Sequence, residues 1–166
     1  IAKRVTGLVS PNYSRSTNDI QPRGQWTGAD SALHSLFSHL EQKEFGLTVR
    51  FTYPFNANTT LQVYGQPFIS KGAYTNTREL SATPPADDYD SRYQAFTDTT
   101  VTNQLDPGFN FMQFRSNVVF RWEYRPGSAL FVVWSSGRSR YRSQEGSENF
   151  GGDMNNLFGL SPDNTF

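Results

Sequence analysis

The stretch Phe45-Gly-Leu-Thr-Val-Arg-Phe-Thr-Tyr-Pro-Phe55, followed by Asn56-Ala-Asn58 and Thr59-Thr-Leu-Gln-Val-Tyr-Gly-Gln66, decides the fold. Side chains alternate across a strand, so Phe45, Leu47, Val49, Phe51, Tyr53 and Phe55 share one face. Gly46, Thr48, Arg50 and Thr52 share the other. A three-residue turn at 56–58, with Asn58 in the left-handed conformation such turns favour, fixes the return register. It sets Leu61 opposite Tyr53, Val63 opposite Phe51, Gln62 opposite Thr52 and Tyr64 opposite Arg50. A slip of one residue would bring Gln62 against Tyr53 and mix the faces.

The plan recurs at Phe114-Arg-Ser-Asn-Val-Val-Phe-Arg-Trp-Glu-Tyr124, with a turn at Pro126-Gly127 and a return at Ala129-Leu-Phe-Val-Val-Trp134. Phe114, Ser116, Val118, Phe120, Trp122 and Tyr124 fall on one side. Arg115, Asn117, Arg121, Glu123 and Arg125 fall on the other, with Val119 among them. After the turn both faces are apolar. A three-residue turn points Leu130, Val132 and Trp134 to the side of Trp122; a two-residue turn points Phe131 and Val133 there. Analogy with the first hairpin favours the former.

Short turns close one end of each hairpin and long polar stretches leave the other, which is the layout of a transmembrane β-barrel. The 166 residues suit one domain, 1–166. Residues 1–9 read as a short strand, and 1–31 as a polar arm whose residues 10–31, rich in Ser, Asn, Asp, Gly and Pro, form a loop. Hairpins occupy 32–166, with long loops at 70–108 and 137–165. Within 31–40, Leu33, Leu36, Phe37 and Leu40 have helical spacing, and helix and strand are near-equal readings. The first long loop, of roughly forty residues, is unusual in a compact soluble domain and ordinary on the outer side of a barrel. The chain ends at Phe166, at the onset of one more strand.

Fifteen basic and fifteen acidic residues cancel, which removes the electrostatic basis for nucleic-acid binding. Hydrophobic residues make up 36% and aromatics 15%, with 14 Phe and 8 Tyr. A barrel wall needs only every second strand residue to be apolar, so its mean hydropathy stays low. No run of about 18 apolar residues exists, which excludes a transmembrane helix. There is no Cys, hence no disulfide or thiolate metal site. Beginning at Ile1, without Met or a signal-peptide pattern, the chain reads as a processed product or a fragment.

The expected fold is all-β: an antiparallel meander of hairpins, part of an up-and-down, outer-membrane-type β-barrel. A β-sandwich is the alternative, because it also gives alternation. In the barrel reading Leu47, Val49, Phe51, Tyr53, Leu61, Val63, Val118, Phe120, Trp122 and Tyr124 face lipid. Arg50, Arg115, Arg121 and Glu123 face the lumen. Tyr53, Phe55, Trp122 and Tyr124 precede the short turns, where an aromatic girdle lies. Four clear strands and two more at the ends fall short of the eight or so of the smallest such barrels. The chain then belongs to a longer barrel, shares a wall with other chains, or forms a smaller soluble fold.

Three strings carry a resemblance: Leu47-Thr-Val-Arg-Phe-Thr-Tyr-Pro-Phe55, Leu61-Gln-Val-Tyr-Gly-Gln-Pro-Phe-Ile-Ser70 and Phe114-Arg-Ser-Asn-Val-Val-Phe-Arg-Trp-Glu-Tyr-Arg-Pro-Gly-Ser128. They resemble the C-terminal end of an uncharacterised bacterial outer-membrane-barrel domain. That domain usually follows an N-terminal module similar to carbohydrate-binding family nine. The resemblance covers most of 32–166 and is weaker over 1–31. It implies a β-barrel, a Gram-negative outer-membrane or cell-surface location, and carbohydrate only through the module that precedes it. It implies no catalytic residue.

Little else points to chemistry. His34 and His39 are five apart and share neither a helix nor a strand face, so they are read as surface histidines rather than metal ligands. Asp87, Asp88 and Asp90 are weak calcium candidates; their spacing lacks the Gly and distal Glu of an EF-hand, and a solvated acidic loop is the plainer reading. Glu145, Glu148 and Asp153 are read the same way. Tyr74, Tyr89, Tyr93 and Phe96 are candidates for stacking on sugar rings, against the default of packing on their own loop. No nucleophile elbow, phosphate loop or dinucleotide fingerprint occurs. The expected function is therefore a non-enzymatic outer-membrane segment, without cofactor, for surface glycan uptake, pore formation or anchoring. The alternatives are a secreted β-sandwich subunit of a larger extracellular assembly, and a carbohydrate-binding module. The expected partners are membrane lipid, carbohydrate, and further copies or chains that complete the sheet.

Overall fold

The structure, a computed structural model, describes residues 5–143 and 149–166. Four long hairpin strands and their neighbours make one antiparallel sheet. In chain order the elements are β1 (Thr6–Thr27), β2 (Leu33–Asn56), β3 (Thr59–Leu80), β4 (Tyr93–Ala95), α1 (Thr99–Thr102), β5 (Gly108–Arg125), β6 (Ser128–Arg142), α2 (Phe150–Phe158) and β7 (Asp163–Thr165). The seven-stranded sheet runs β1-β2-β3-β5-β6-β7, with β4 paired to the far end of β3. The fold is an all-β meander. Among the described residues the sheet is open: β1 and β7 are its ends, and they do not pair with each other.

In the first hairpin the register is the one that the alternation demands, and the second follows the pairing that analogy with it favours. Arg50 pairs with Tyr64, Phe51 with Val63, Thr52 with Gln62 and Tyr53 with Leu61. In the second hairpin Trp122 pairs with Leu130, Phe120 with Val132 and Val118 with Trp134. A bulge beside each turn absorbs the odd residue. The turn chemistry differs from expectation in the first hairpin. Among the described residues the non-glycine ones with positive φ are Ser31 and Asn76, so Asn58 stays out of the left-handed region. The turn is instead closed by the Asn58 N–H, which donates to Asn56 Oδ1 at 2.8 Å. In the second, Gly127 supplies the left-handed residue, with φ 78°.

Three stretches expected to be loops are largely regular. Residues 10–31 are mostly strand, because β1 runs antiparallel along nearly the whole of β2, from Thr6 opposite Thr52 to Thr27 opposite Leu33. Its prolines are tolerated because β1 is an edge strand, and Pro22 adjoins a bulge at Gly24. β3 continues to Leu80, which shortens the loop expected at 70–108, and β4 and α1 lie within what remains. The loop expected at 137–165 holds the end of β6, all of α2 and the short strand β7. The ambiguous segment 31–40 is strand. Its helical spacing is accidental: Leu36 and Leu40 are buried on one face, while Leu33 and Phe37 lie on the other.

Candidate functional site

The functional candidate is the sheet itself, seen as two faces. Odd-numbered residues of β2 and β3 share a face with even-numbered residues of β5 and β6, as the pairings require. This face holds all ten residues expected to face lipid: Leu47, Val49, Phe51, Tyr53, Leu61, Val63, Val118, Phe120, Trp122 and Tyr124. Leu130, Val132 and Trp134 join them from β6. They form an open surface, with exposure reaching 38% at Phe51 and 54% at Tyr124. Phe51, Tyr53 and Phe55 contact one another in series, and Trp122 lies 6.0 Å from Tyr124, so the turn end carries a cluster of rings.

No charge interrupts this face from Tyr53 to Phe45, from Leu61 to Ile69, or from Trp122 to Met112. The first charges come in one band of rows. Arg15 and Lys43 reach Glu41 at 2.9 and 3.4 Å. Lys71 pairs with Asp153 of α2. On β6 the charges begin at Arg138.

The opposite face is wet. It holds Arg50, Arg115, Arg121 and Glu123, the residues expected on the lumen side, among Thr48, Thr52, Gln62, Tyr64, Gln66 and Asn117. Arg121 pairs with Glu123 at 2.7 Å. The Tyr64 hydroxyl donates to Gln66 at 2.7 Å, and the Arg50 guanidinium lies 5.4 Å from the Tyr64 ring centre. Shallow depressions, lined by Arg50, Tyr64 and Asn117 and by Tyr64, Arg115 and Asn117, follow this face.

At the loop end both faces are covered. On the apolar face α2 seats Leu157, fully buried, against Ile69 and Met112, which are also fully buried. Each such burial stabilises by about 1.5–3 kcal/mol. Asn149 caps the helix by accepting from the Gly152 N–H at 2.8 Å. The spacing of Phe150, Met154, Leu157 and Phe158 behind that cap is the signal that sequence reading passed over. Beneath the helix Asp153 also accepts from Asn110 at 3.0 Å. On the polar face Leu36, Phe96 and Val101 form a second core, with Trp26 and Leu105 against it.

The histidines occupy separate places. His34 Nδ1 faces Glu79 and its Nε2 lies 3.2 Å from Asp30. The bond to Glu79, then that to Asp30, raises the His34 pKa above its ordinary 6.5. The Ala32 N–H and then His34 hold Asp30 below its ordinary value. Asp98 caps α1 through the Thr100 N–H and accepts from the Ala29 N–H, first Ala29 and then Thr100 lowering its pKa. This cluster ties the β1–β2 turn to the segment before β5. His39 lies 2.6 Å from Asp19, elsewhere. Among the described residues no group of three or more His, Asp or Glu is arranged to hold a metal.

Of the weak calcium candidates, Asp88 accepts from the Ser91 N–H and hydroxyl, Arg92 binds the Asp87 carbonyl, and Asp90 opens a single 3-10 turn. The loop aromatics meet protein partners. Phe96 is buried, Tyr93 touches Phe37 and Tyr89, and Arg23 lies 3.7 Å over the Tyr74 ring. Glu145 and Glu148 lie outside the described residues.

No curated protein and no solved structure matches the chain. The family described as "Domain of unknown function (DUF5916)" matches residues 4–166. That span takes in β1 and reaches the last residue, so the whole meander, and not the two central hairpins alone, marks this chain as a member of the DUF5916 family.

Proposed function

We propose that this domain is a non-enzymatic segment of an outer-membrane-type β-barrel wall, with its apolar face toward lipid and its polar face toward water. The uncharged apolar band carries the reading. Its bare part covers 47–55 on β2 and 116–124 on β5, nine residues each. A strand needs about 9–11 residues to cross a bilayer at a tilt near 45°. A face this apolar and this open lacks a partner inside the described residues, and a soluble protein rarely exposes so large a patch. The aromatics at the turn end sit where one membrane interface falls.

Unpaired backbone groups are not tolerated in hydrocarbon, so the wall needs further strands. Those strands join the outer edge of β1 and the part of β6 beyond its short pairing with β7. A Gram-negative outer membrane is the fitting location. Uptake of surface glycans, pore formation and anchoring are the roles such a wall serves. The test is fractionation of cells that express the full-length protein. Detergent-dependent extraction from the outer membrane, with heat-modifiable mobility, is expected. Recovery from the soluble periplasm without detergent would overturn the reading.

The open edges favour a second reading, a secreted subunit whose copies pair edge to edge. Light scattering on detergent-free protein decides it: a monodisperse monomer disposes of the assembly.

A further inference from the structure

We infer that α2 lies in the lipid headgroup zone, docked on the outer face of the wall as a collar that sets how deeply the wall sinks. The inference rests on the membrane reading above. α2 begins to cover the apolar face where the bare, membrane-length stretch ends. Phe158 meets Phe114 at 5.0 Å, Leu157 packs on Ile69 and Met112, and Phe150 lies 6.0 Å from Phe45 and 6.4 Å from Tyr13. On β2 and β3 the first charged row of this face follows at the same level, while on β6 Arg138 and Arg140 stand opposite Phe114 and Met112, beside the helix itself. Lys71 is there with Asp153, next to the cluster of Arg15, Lys43 and Glu41.

Charges at the bilayer centre are costly, so that row marks a level above the hydrocarbon. On β2 and β3 the helix runs from the last apolar row to the first charged one, with Arg138 and Arg140 of β6 alongside it, and so straddles the boundary. Its composition agrees with that position. Phe158 is 47% exposed beside the bare band, while Asn155 and Asn156 are exposed amides suited to headgroups and water. Its one carboxylate, Asp153, is 5% exposed and pairs with Lys71, so the helix shows lipid no net charge. The Arg138 guanidinium binds the Phe158 carbonyl and ties the helix end to β6.

The 166 residues hold no cysteine, so a thiol introduced among them is unique there, and any cysteine elsewhere in the full-length protein is first replaced by serine. The full-length protein, reconstituted in phosphatidylcholine vesicles, carries a fluorophore at V132C, N155C or Q62C. The lipids carry a spin-label quencher either near the headgroup or near the chain ends. V132C, in the bare band, is expected to be quenched by the deep label. N155C is expected to be quenched roughly twofold more strongly by the shallow label than by the deep one, as for a helix seated about 5–10 Å into the boundary. Q62C, on the polar face, is expected to respond to neither. If V132C shows deep quenching but N155C is quenched by the deep label, or by neither, the collar is overturned while the wall stands. If V132C escapes both labels, the membrane reading fails and takes the collar with it.

Discussion

The two ends of this sheet are made from the same strands and held by different means. At the loop end each face has its own cover, α2 on one side and the segment around Phe96 and Val101 on the other. The buried hydrophobics Leu36, Leu40, Ile69, Phe96, Val101, Met112 and Leu157 all belong to that end. At the turn end neither face carries such a cover among the described residues, although Phe51, Phe120 and Trp122 are as apolar as anything in the two cores. The loop half therefore carries its own cores. The turn half has ladder hydrogen bonds and ring contacts, and its apolar face has no such core among the described residues. Apolar side chains can satisfy the alternation rule without being a core, and the difference lies in what is set against them.

The largest expected effect falls on the self-sufficient half. Asp153→Ala removes the carboxylate that Lys71 faces in a dry site, and breaking a buried pair costs about 3–5 kcal/mol. Denaturant unfolding of the purified protein should show that loss. A change under about 1 kcal/mol would mean that α2 is not locked to the sheet by this pair. Next comes the turn half. Val63→Arg should cost about 2–4 kcal/mol in a lipid bilayer, where Gln62→Arg, on the neighbouring residue of the opposite face, should cost little. Folding yields into vesicles give the comparison directly. Equal penalties at 62 and 63 would abolish the distinction between the faces.

The smallest effect concerns pH at the loop end. The folded-state pKa of His34 is raised, so its contribution is complete below the ordinary 6.5 and is lost as pH rises through the folded value. The Asp30 pKa is lowered, so its contribution is present above the ordinary 3.8 and is lost as pH falls through the folded value. Protection of the β1–β2 turn against hydrogen exchange, corrected for intrinsic rates, should therefore be greatest between those two ordinary values. It should weaken toward alkaline pH, and His34→Gln should flatten the alkaline side. An unchanged profile in that variant would separate the turn from His34.

The first hairpin and the outgoing strand of the second were legible because their faces differ in polarity residue by residue. Phe51 opposite Val63 and Arg50 opposite Tyr64 follow from alternation plus a short turn, and no distant contact is needed. β1 was not legible. Ser10, Asn12, Ser14 and Ser16 look like loop because they lie on the polar face, where nothing selects for β-branched or aromatic residues. What makes them strand is the length of β2 beside them. The 31–40 segment stayed open between helix and strand for the opposite reason: both of its faces are apolar, so a period of two imitates one of 3.6. The helix α2 was hidden among Gly, Asn and Asp, and only its cap and four apolar residues spoke for it.

By itself, then, the sequence determined an antiparallel meander, the register of its first hairpin and the sorting of side chains between two faces up to the second turn, since each depends on neighbours a few residues apart. Only the tertiary structure decided that β1 extends the sheet, that α2 covers one half of the apolar face and leaves the other half bare, and that His34 meets Glu79. Those depend on pairings across dozens of residues, where backbone hydrogen bonding and burial outweigh what any local stretch prefers.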